Sequence, residues 1–151
     1  GSNILKPIRF AVAQTHLQAK FSMAALLTMI ILRHQAGRKE FTDEFIQSAA
    51  AQDMQRRIRV HHDPAIEAQG MDVIRSRIEL ATTDGRKLVR WAPERYRGGP
   101  DNPMSDADLE RKFAACAEGL LDERRRKRVI SKVKRIADVK NAGVLAGLIQ
   151  P

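Results

Sequence analysis

The stretch that most constrains the fold runs from Gly98 to Cys116, GGPDNPMSDADLERKFAAC. Its Gly-Gly-Pro and Asn-Pro steps cannot continue a strand or a helix, so its first half predicts a turn. Ser105 and Asp108 stand three residues apart, as in a capping box, and predict that a helix begins there. Apolar residues then recur at helical spacing, at Leu109, Phe113, Cys116 and Leu120. The sequence therefore predicts helices and strands before this stretch and helices alone after it.

The N-terminal part predicts a short strand and then a core helix. Apolar residues alternate with other residues at Ile8, Phe10 and Val12, which is typical of a strand. An uninterrupted apolar run covers Met23–Leu32 and predicts a buried helix that ends at Gly37. Its ten residues are too few to cross a bilayer, which takes about 20, so we expect no membrane span.

Further helices and a second short strand follow. Thr42 is placed to cap a helix whose Phe45 and Ile46 face inward, and Asp53–Arg57 predicts another helical piece. Alternation at Ile58 and Val60 predicts a strand, which Asp63-Pro64 ends.

A β-hairpin is the clearest local signal. Asp84-Gly85 predicts its tight turn, because glycine accepts the positive φ that such turns require. The alternation predicts an antiparallel pair with one face in water. The outgoing strand carries Ile74, Ser76, Ile78 and Leu80 on one face, and the return strand carries Val89 and Trp91 with Arg90 pointing the other way.

The C-terminal part predicts helices only. Asp122 or a neighbour begins a helix with an apolar stripe at Val129, Ile130, Val133 and Ile136, and a final helix covers Val139–Ile149. We therefore expect an α+β protein. A small antiparallel sheet packed with helices occupies residues 3–103, and a helical segment follows at 104–151.

The charge of the chain narrows the class of its ligands. The formal net charge of +9 favours anionic partners, which include nucleic acid, acidic lipid and small polycarboxylates or phosphates. The basic run Arg124–Arg135 is the candidate for nucleic-acid contact. It holds no aromatic residue on which bases could stack, so we interpret it as a solvated helix face and expect no nucleic acid as partner.

Metal and nucleophile signatures are missing from the sequence. The four histidines, His16, His34, His61 and His62, lack ligand spacing, and no phosphate-binding or nucleophile-elbow motif is present. We expect no metal. The single cysteine, Cys116, lies on an apolar stripe and is predicted to be a packed thiol. With one cysteine and no recognisable signal peptide, we expect a cytoplasmic protein.

The candidate binding site lies where the apolar helix begins. His16 and Lys20 stand there with Gln14, Gln18 and Ser22. Free backbone amides and the positive end of a helix dipole suit a carboxylate ligand. The alternative is a surface cap with Lys20 in water, and the residues alone favour it.

Three segments resemble the MmgE/PrpD family. QTHLQAKFSMAALL is similar to that family's EAKFS stretch. The hairpin TTDGRKLVR followed by YRGGPDNPMSDADLERKFAACAEGLL resembles its Gly-rich turn, Asn-Pro step, acidic cap and "KF" helix, and VKNAGVLAGLI resembles its closing helix. The segments occur in the family's order and cover about Pro7–Ile149.

The resemblance implies a function. The family includes 2-methylcitrate dehydratase, cis-aconitate decarboxylase and iminodisuccinate epimerase, which remove a proton next to a carboxylate of a small di- or tricarboxylate. It implies that this chain is a C-terminal lid portion, inactive alone, whose partner is a helical domain outside it. It also implies no cofactor, a homodimer, main catalytic residues outside the chain, and substrate contacts from Lys20, His16, Gln18, Ser22 and Arg97. A basic nucleic-acid-binding module and a non-catalytic interaction domain remain the alternatives.

Overall fold

A computed structural model describes residues 1–70 and 75–150 of the chain. The chain divides into two compact units, Gly1–Asn102 and a second unit that begins at Pro103. The first unit contains α1 (Ser2–Leu5), α2 (His16–Ala19), α3 (Met23–Arg33), α4 (Asp43–Gln47), α5 (Ala49–Arg57), α6 (Pro64–Glu67), β1 (Arg77–Ala81) and β2 (Lys87–Trp91). The second contains α7 (Asp106–Ala117), α8 (Glu123–Lys134), a 3-10 turn (Ile136–Asp138) and α9 (Gly143–Ile149). The predicted α+β class is confirmed.

Small side chains hold the core of the first unit together. α3 packs against α5, and α4 packs beside α5. The core contains Ala13, Ala19, Ala25, Met29, Phe45, Ile46 and Ala51. Four of these seven are alanines, which let the backbones of the helices approach closely.

α3 differs from its prediction at its end and in its burial. Ser22 begins it by accepting a hydrogen bond from the amide of Ala25 at 3.1 Å. It ends at Arg33, before the predicted Gly37, because His34 takes the left-handed conformation with φ of 59°. Met29 is fully buried, whereas Ile30 is 45% exposed, so only one side of the helix lies in the core.

α4 and α5 confirm their predictions. The Thr42 hydroxyl accepts from the amide of Phe45 at 3.2 Å, which begins α4. Phe45 and Ile46 are buried as expected. The helical piece predicted at Asp53–Arg57 is the second half of α5.

Both predictions of a short strand in the first unit are wrong. Residues 8–12 and 58–60 form no strand in the structure. Phe10 donates one backbone hydrogen bond, to the carbonyl of Phe21 in a turn, at 3.1 Å. Ile58 has extended backbone, and Asp63 caps α6 instead of closing a strand. Alternation alone does not make a strand, because a strand also needs a neighbour to pair with.

The predicted hairpin is confirmed, but the prediction that only one of its faces is exposed to water is wrong. β1 and β2 are antiparallel, and Gly85 takes a φ of 85° in the turn between them. The register pairs Arg77 with Trp91 and Glu79 with Val89. Paired residues share a face, so apolar residues occur on both faces, and every residue of both strands is exposed. The position predicted for Ile74 lies outside the described residues.

The second unit has a small core and exposed apolar stripes. Ser105 and Asp108 form the predicted capping box, and Asp122 caps α8. α9 begins at Gly143, after a 3-10 turn, and is shorter than the predicted helix. The buried apolar residues of the second unit are Ala117, Leu121, Val129 and Leu148. About half of the surface of four stripe residues is exposed: Leu109, Leu120, Val133 and Ile136.

The prediction of a packed thiol at Cys116 is wrong. The side chain is exposed, although it lies on the predicted stripe of α7. Leu109 and Leu120 of the same stripe are also exposed, and the buried residue of α7 is Ala117. Across the parts of the chain that the structure describes, no helix is both long and apolar enough to cross a membrane.

Candidate functional site

The candidate site is the corner between α2 and α3, residues 15–22, which we call the α2–α3 corner. Thr15 caps α2 by accepting from the amide of Gln18 at 3.2 Å. Backbone of α-helical conformation extends through Lys20, so His16 and Lys20 lie one turn apart on the same side. Both side chains are exposed. The corner therefore presents an imidazole and an ammonium group together.

A buried glutamine fixes the chain that enters this corner. Gln55 is fully buried, and its Oε1 accepts from the amide of Ala13 at 2.8 Å. Gln52 Nε2 donates to the carbonyl of Ala13 at 2.9 Å, and Gln47 Nε2 donates to the carbonyl of Gln14 at 3.1 Å. Because Ala13 is buried, its backbone groups need these partners in place of water. Two helices thus hold the segment just before α2.

Gln47, Gln52 and Gln55, which we call the glutamine clamp, are not predicted by any of the motifs in the sequence. One signal was available: Gln55 lies four residues after the core alanine Ala51 on the same helix. A polar residue at that spacing shares the buried side of a helix and needs a partner there.

His16 is joined to α4 through Asp43. The ring Nδ1 lies 2.9 Å from Oδ1 of Asp43, and the backbone amide of His16 donates to the same oxygen at 2.5 Å. The backbone hydrogen bond, followed by the one from the ring, lowers the pKa of Asp43 below its ordinary value. The two side chains are 50% and 51% exposed, so the pair lies at the surface.

Three of the helix amides expected to face a ligand carboxylate have partners within the chain. The amide of His16 binds Asp43, and that of Gln18 binds Thr15. The amide of Ala25 binds Ser22. The first amide of α2 is therefore not available to a ligand anion, because the carboxylate of Asp43 already accepts its hydrogen bond.

The residues predicted to contact a substrate differ in whether their side chains are bonded within the chain or exposed. Ser22 is 3% exposed and caps α3. Gln18 Oε1 accepts from the amide of Gln14 at 2.7 Å, which closes the turn before α2. Both shape the corner, whereas His16 and Lys20 project from it.

Arg97 lies in another part of the first unit, directly before the turn at Gly98. Gly98 takes a φ of 92°, and its amide donates to the carbonyl of Asn102 at 2.7 Å. A Cβ on Gly99 would lie 2.8 Å from the ring of Tyr96, so a larger residue here would require that ring to move. The predicted turn is confirmed, and it holds Arg97 at a fixed point of the loop.

A cationic surface lies on α8 of the second unit. It is lined by Glu123, Arg124, Lys127, Arg128, Ser131 and Lys132. Lys127 pairs with Glu123 at 2.6 Å. Lys134 instead contacts Glu110 at 2.6 Å and Asp106 at 3.4 Å on α7, and the first contact raises its pKa most. Acidic groups thus neutralise parts of α8, and Arg124, Arg128 and Lys132 form its exposed cationic row.

A metal ion has no ready site in the residues described. Within 1–70 and 75–150, no group of three or more His, Cys, Asp or Glu side chains is arranged to hold one.

These features define an α+β domain whose α2–α3 corner exposes one histidine, paired with Asp43, and one lysine. The MmgE/PrpD C-terminal domain model matches residues 6–136. The chain therefore belongs to the MmgE/PrpD family and corresponds to its C-terminal domain, as the first two of the three resembling segments predicted, while the third lies beyond the matched residues. A search of curated proteins found no match.

Proposed function

We propose that this chain is the lid portion, residues 3–103 with a returning helical segment at 104–151, of a cytoplasmic lyase or isomerase. The enzyme acts on small di- or tricarboxylates. It removes a proton next to a carboxylate and then loses water, loses carbon dioxide or inverts the carbon. The reaction needs no cofactor, and the principal catalytic machinery lies in a helical domain outside these residues.

The family match carries the proposal, because it covers most of the chain and includes both candidate binding loops. The chemistry of the α2–α3 corner agrees with it. Removing a proton next to a carboxylate builds negative charge, and a nearby cation stabilises that charge. Lys20 is the exposed cation of the corner, and Arg97 is a second candidate for a substrate carboxylate.

The chain alone is proposed to be inactive but able to bind. Two carboxylates of one ligand need two cationic groups, and the bidentate guanidinium of Arg97 suits one of them. Gln18 and Ser22 contribute by holding the corner in shape. The exposed stripes of the second unit are proposed to be covered in a homodimer.

Calorimetric titration of citrate into the 151-residue chain tests this proposal. We expect binding that Lys20→Met or Arg97→Met weakens at least tenfold. Lys87→Met, which removes the same charge from the exposed hairpin, is the matched control and should bind as the wild type does. Equal weakening by all three substitutions would show only general attraction to a basic protein, and no binding to the wild type would contradict the proposal.

Nucleic-acid binding is the second candidate, and one observation favours it: the exposed cationic row Arg124, Arg128 and Lys132. A duplex contact of three phosphates would lose affinity with salt at a logarithmic slope of about −2.7. We expect no specific duplex binding in 0.15 M salt by electrophoretic mobility shift. Retention there that Arg128→Ser abolishes would favour this second function.

A further inference from the structure

We propose that His16 is a proton-transfer residue of the proposed reaction and that Asp43 is its positioning residue. The inference rests on the proposed function and deepens it. It assigns to this chain one acid–base group of a reaction whose other groups lie elsewhere.

The contacts of Asp43 determine which nitrogen of His16 is available. Oδ1 accepts from Nδ1 of the ring at 2.9 Å and from the backbone amide of the same residue at 2.5 Å. An ionised carboxylate at Nδ1 holds the proton of the neutral ring on that nitrogen. Nε2 is then the basic nitrogen, and within the described part of the chain it has no hydrogen-bond partner. Half of the His16 side chain is exposed, so a ligand can reach this nitrogen.

Both members of the pair stand on fixed backbone. Asp43 follows the Thr42 cap and precedes the buried residues Phe45 and Ile46. His16 follows the Thr15 cap, and the glutamine clamp holds the segment before it. A base works only within hydrogen-bond reach of the proton it removes, so this rigidity is what an acid–base role requires.

Lys20 completes the arrangement because it lies one helical turn after His16. Its ammonium group binds a carboxylate of the substrate, and Nε2 of His16 takes the proton from the adjacent carbon. The C–H bond breaks, its electron pair passes into the carboxylate as an enediolate, and His16 becomes an imidazolium stabilised by Asp43. The electron pair then either expels a β-hydroxyl, which leaves as water with a proton from an acid, or recaptures a proton at carbon. Atoms, charge and electrons balance without an oxidant or reductant.

The tautomer of His16 can be measured on the 151-residue chain. In ¹⁵N NMR spectra at a pH where the ring is neutral, we expect Nδ1 to carry the proton. In Asp43→Asn the preference for Nδ1–H should fall, because a neutral amide holds the proton less strongly. A wild-type ring that carries its proton on Nε2 would overturn the positioning role.

The catalytic role requires the complete protein that contains this chain. The readout is incorporation of solvent deuterium next to a carboxylate of citrate in D₂O, and citrate binding is measured in parallel. We expect His16→Gln to slow incorporation at least 100-fold and to leave citrate affinity within threefold. Asp43→Asn should slow it about tenfold and also leave citrate affinity within threefold. His61→Asn is the matched control, since His61 is exposed and lies outside the corner, and it should change neither quantity.

The outcomes separate the two proposals. If wild-type protein does not bind citrate, both the proposed function and this inference fail. If wild-type protein binds and exchanges, but His16→Gln exchanges as fast, only the inference fails and the pair is a surface salt bridge. If Asp43→Asn lowers the rate only by weakening citrate binding, its positioning role is overturned.

Discussion

Gln55 is the side chain on which the geometry of the α2–α3 corner depends most. It is fully buried, and it reaches across 42 residues of sequence to the amide of Ala13. A buried amide without an acceptor loses the hydrogen bond it makes with water in the unfolded chain, which costs about 1–3 kcal/mol. The corner is therefore built by tertiary contacts more than by the short helix α2 itself.

Replacing Gln55 by leucine tests this dependence. Leucine fills a similar volume but has no acceptor for Ala13, so we expect Gln55→Leu to lower the free energy of unfolding by about 1–3 kcal/mol. Urea denaturation followed by circular dichroism gives the value. Gln69→Leu, at an exposed position just after α6, is the control and should stay within about 0.5 kcal/mol of the wild type. A Gln55→Leu protein as stable as the control would contradict the clamp.

The lowered pKa of Asp43 leads us to expect that the stability of the fold depends on pH. Its pKa is lowered because His16 donates two hydrogen bonds to it. A carboxylate of lowered folded-state pKa stabilises the fold above its unfolded value of about 3.9, and that stability is lost as the pH falls through the folded value. The wild type should exceed Asp43→Asn in urea midpoint at pH 6, and the difference should shrink towards zero below pH 4. A difference that stays the same at pH 3 would show that Asp43 does not stabilise the fold through these bonds.

Among the elements, helix starts and the hairpin turn were predictable because their signals are local. Thr42, Ser105 and Asp122 each cap the helix that the sequence placed after them. The strands expected at residues 8–12 and 58–60 were wrong because pairing depends on a distant neighbour. Asp43 was missed for the same reason, since 27 residues separate it from His16. The sequence thus predicted the helix starts and the hairpin turn, while the partner of His16 came only from the tertiary fold.

The turn of the hairpin gives a prediction at this scale. Gly85 has a φ of 85°, and an alanine there bears a backbone strain of about 1–2 kcal/mol. Since both strands are exposed, little packing opposes the loss, and Gly85→Ala should weaken the cross-strand NOE between Arg77 and Trp91. Gly147→Ala is the control, because Gly147 lies in α9 with open space around it and should leave that NOE intact. An unchanged NOE in Gly85→Ala would contradict a turn that requires glycine.

For the whole molecule, the exposed apolar surface of the second unit is the feature that most needs an explanation. Val133 and Ile136 are 54% and 56% exposed. Large exposed apolar patches mark interaction sites, and the proposed homodimer would cover these two residues. Formation of this homodimer depends on protein concentration, so the fraction of dimer can be measured directly.

Sedimentation velocity over a range of concentrations tests the dimer. Burying a half-exposed aliphatic side chain contributes about 1 kcal/mol, so the double substitution Val133→Ser and Ile136→Ser should weaken dimerisation at least tenfold. Ser131→Ala, on the cationic surface of α8, is the control and should not change it. A wild-type chain that stays monomeric at high concentration would contradict the homodimer.

The central claim is that the α2–α3 corner binds small polycarboxylates, and mapping citrate on the ¹H–¹⁵N spectrum of the chain tests it most directly. We predict that amide shifts concentrate at residues 15–22 and around Arg97, and that Lys20→Met removes those at the corner. Shifts confined to α8, or no shifts at all, would contradict the claim.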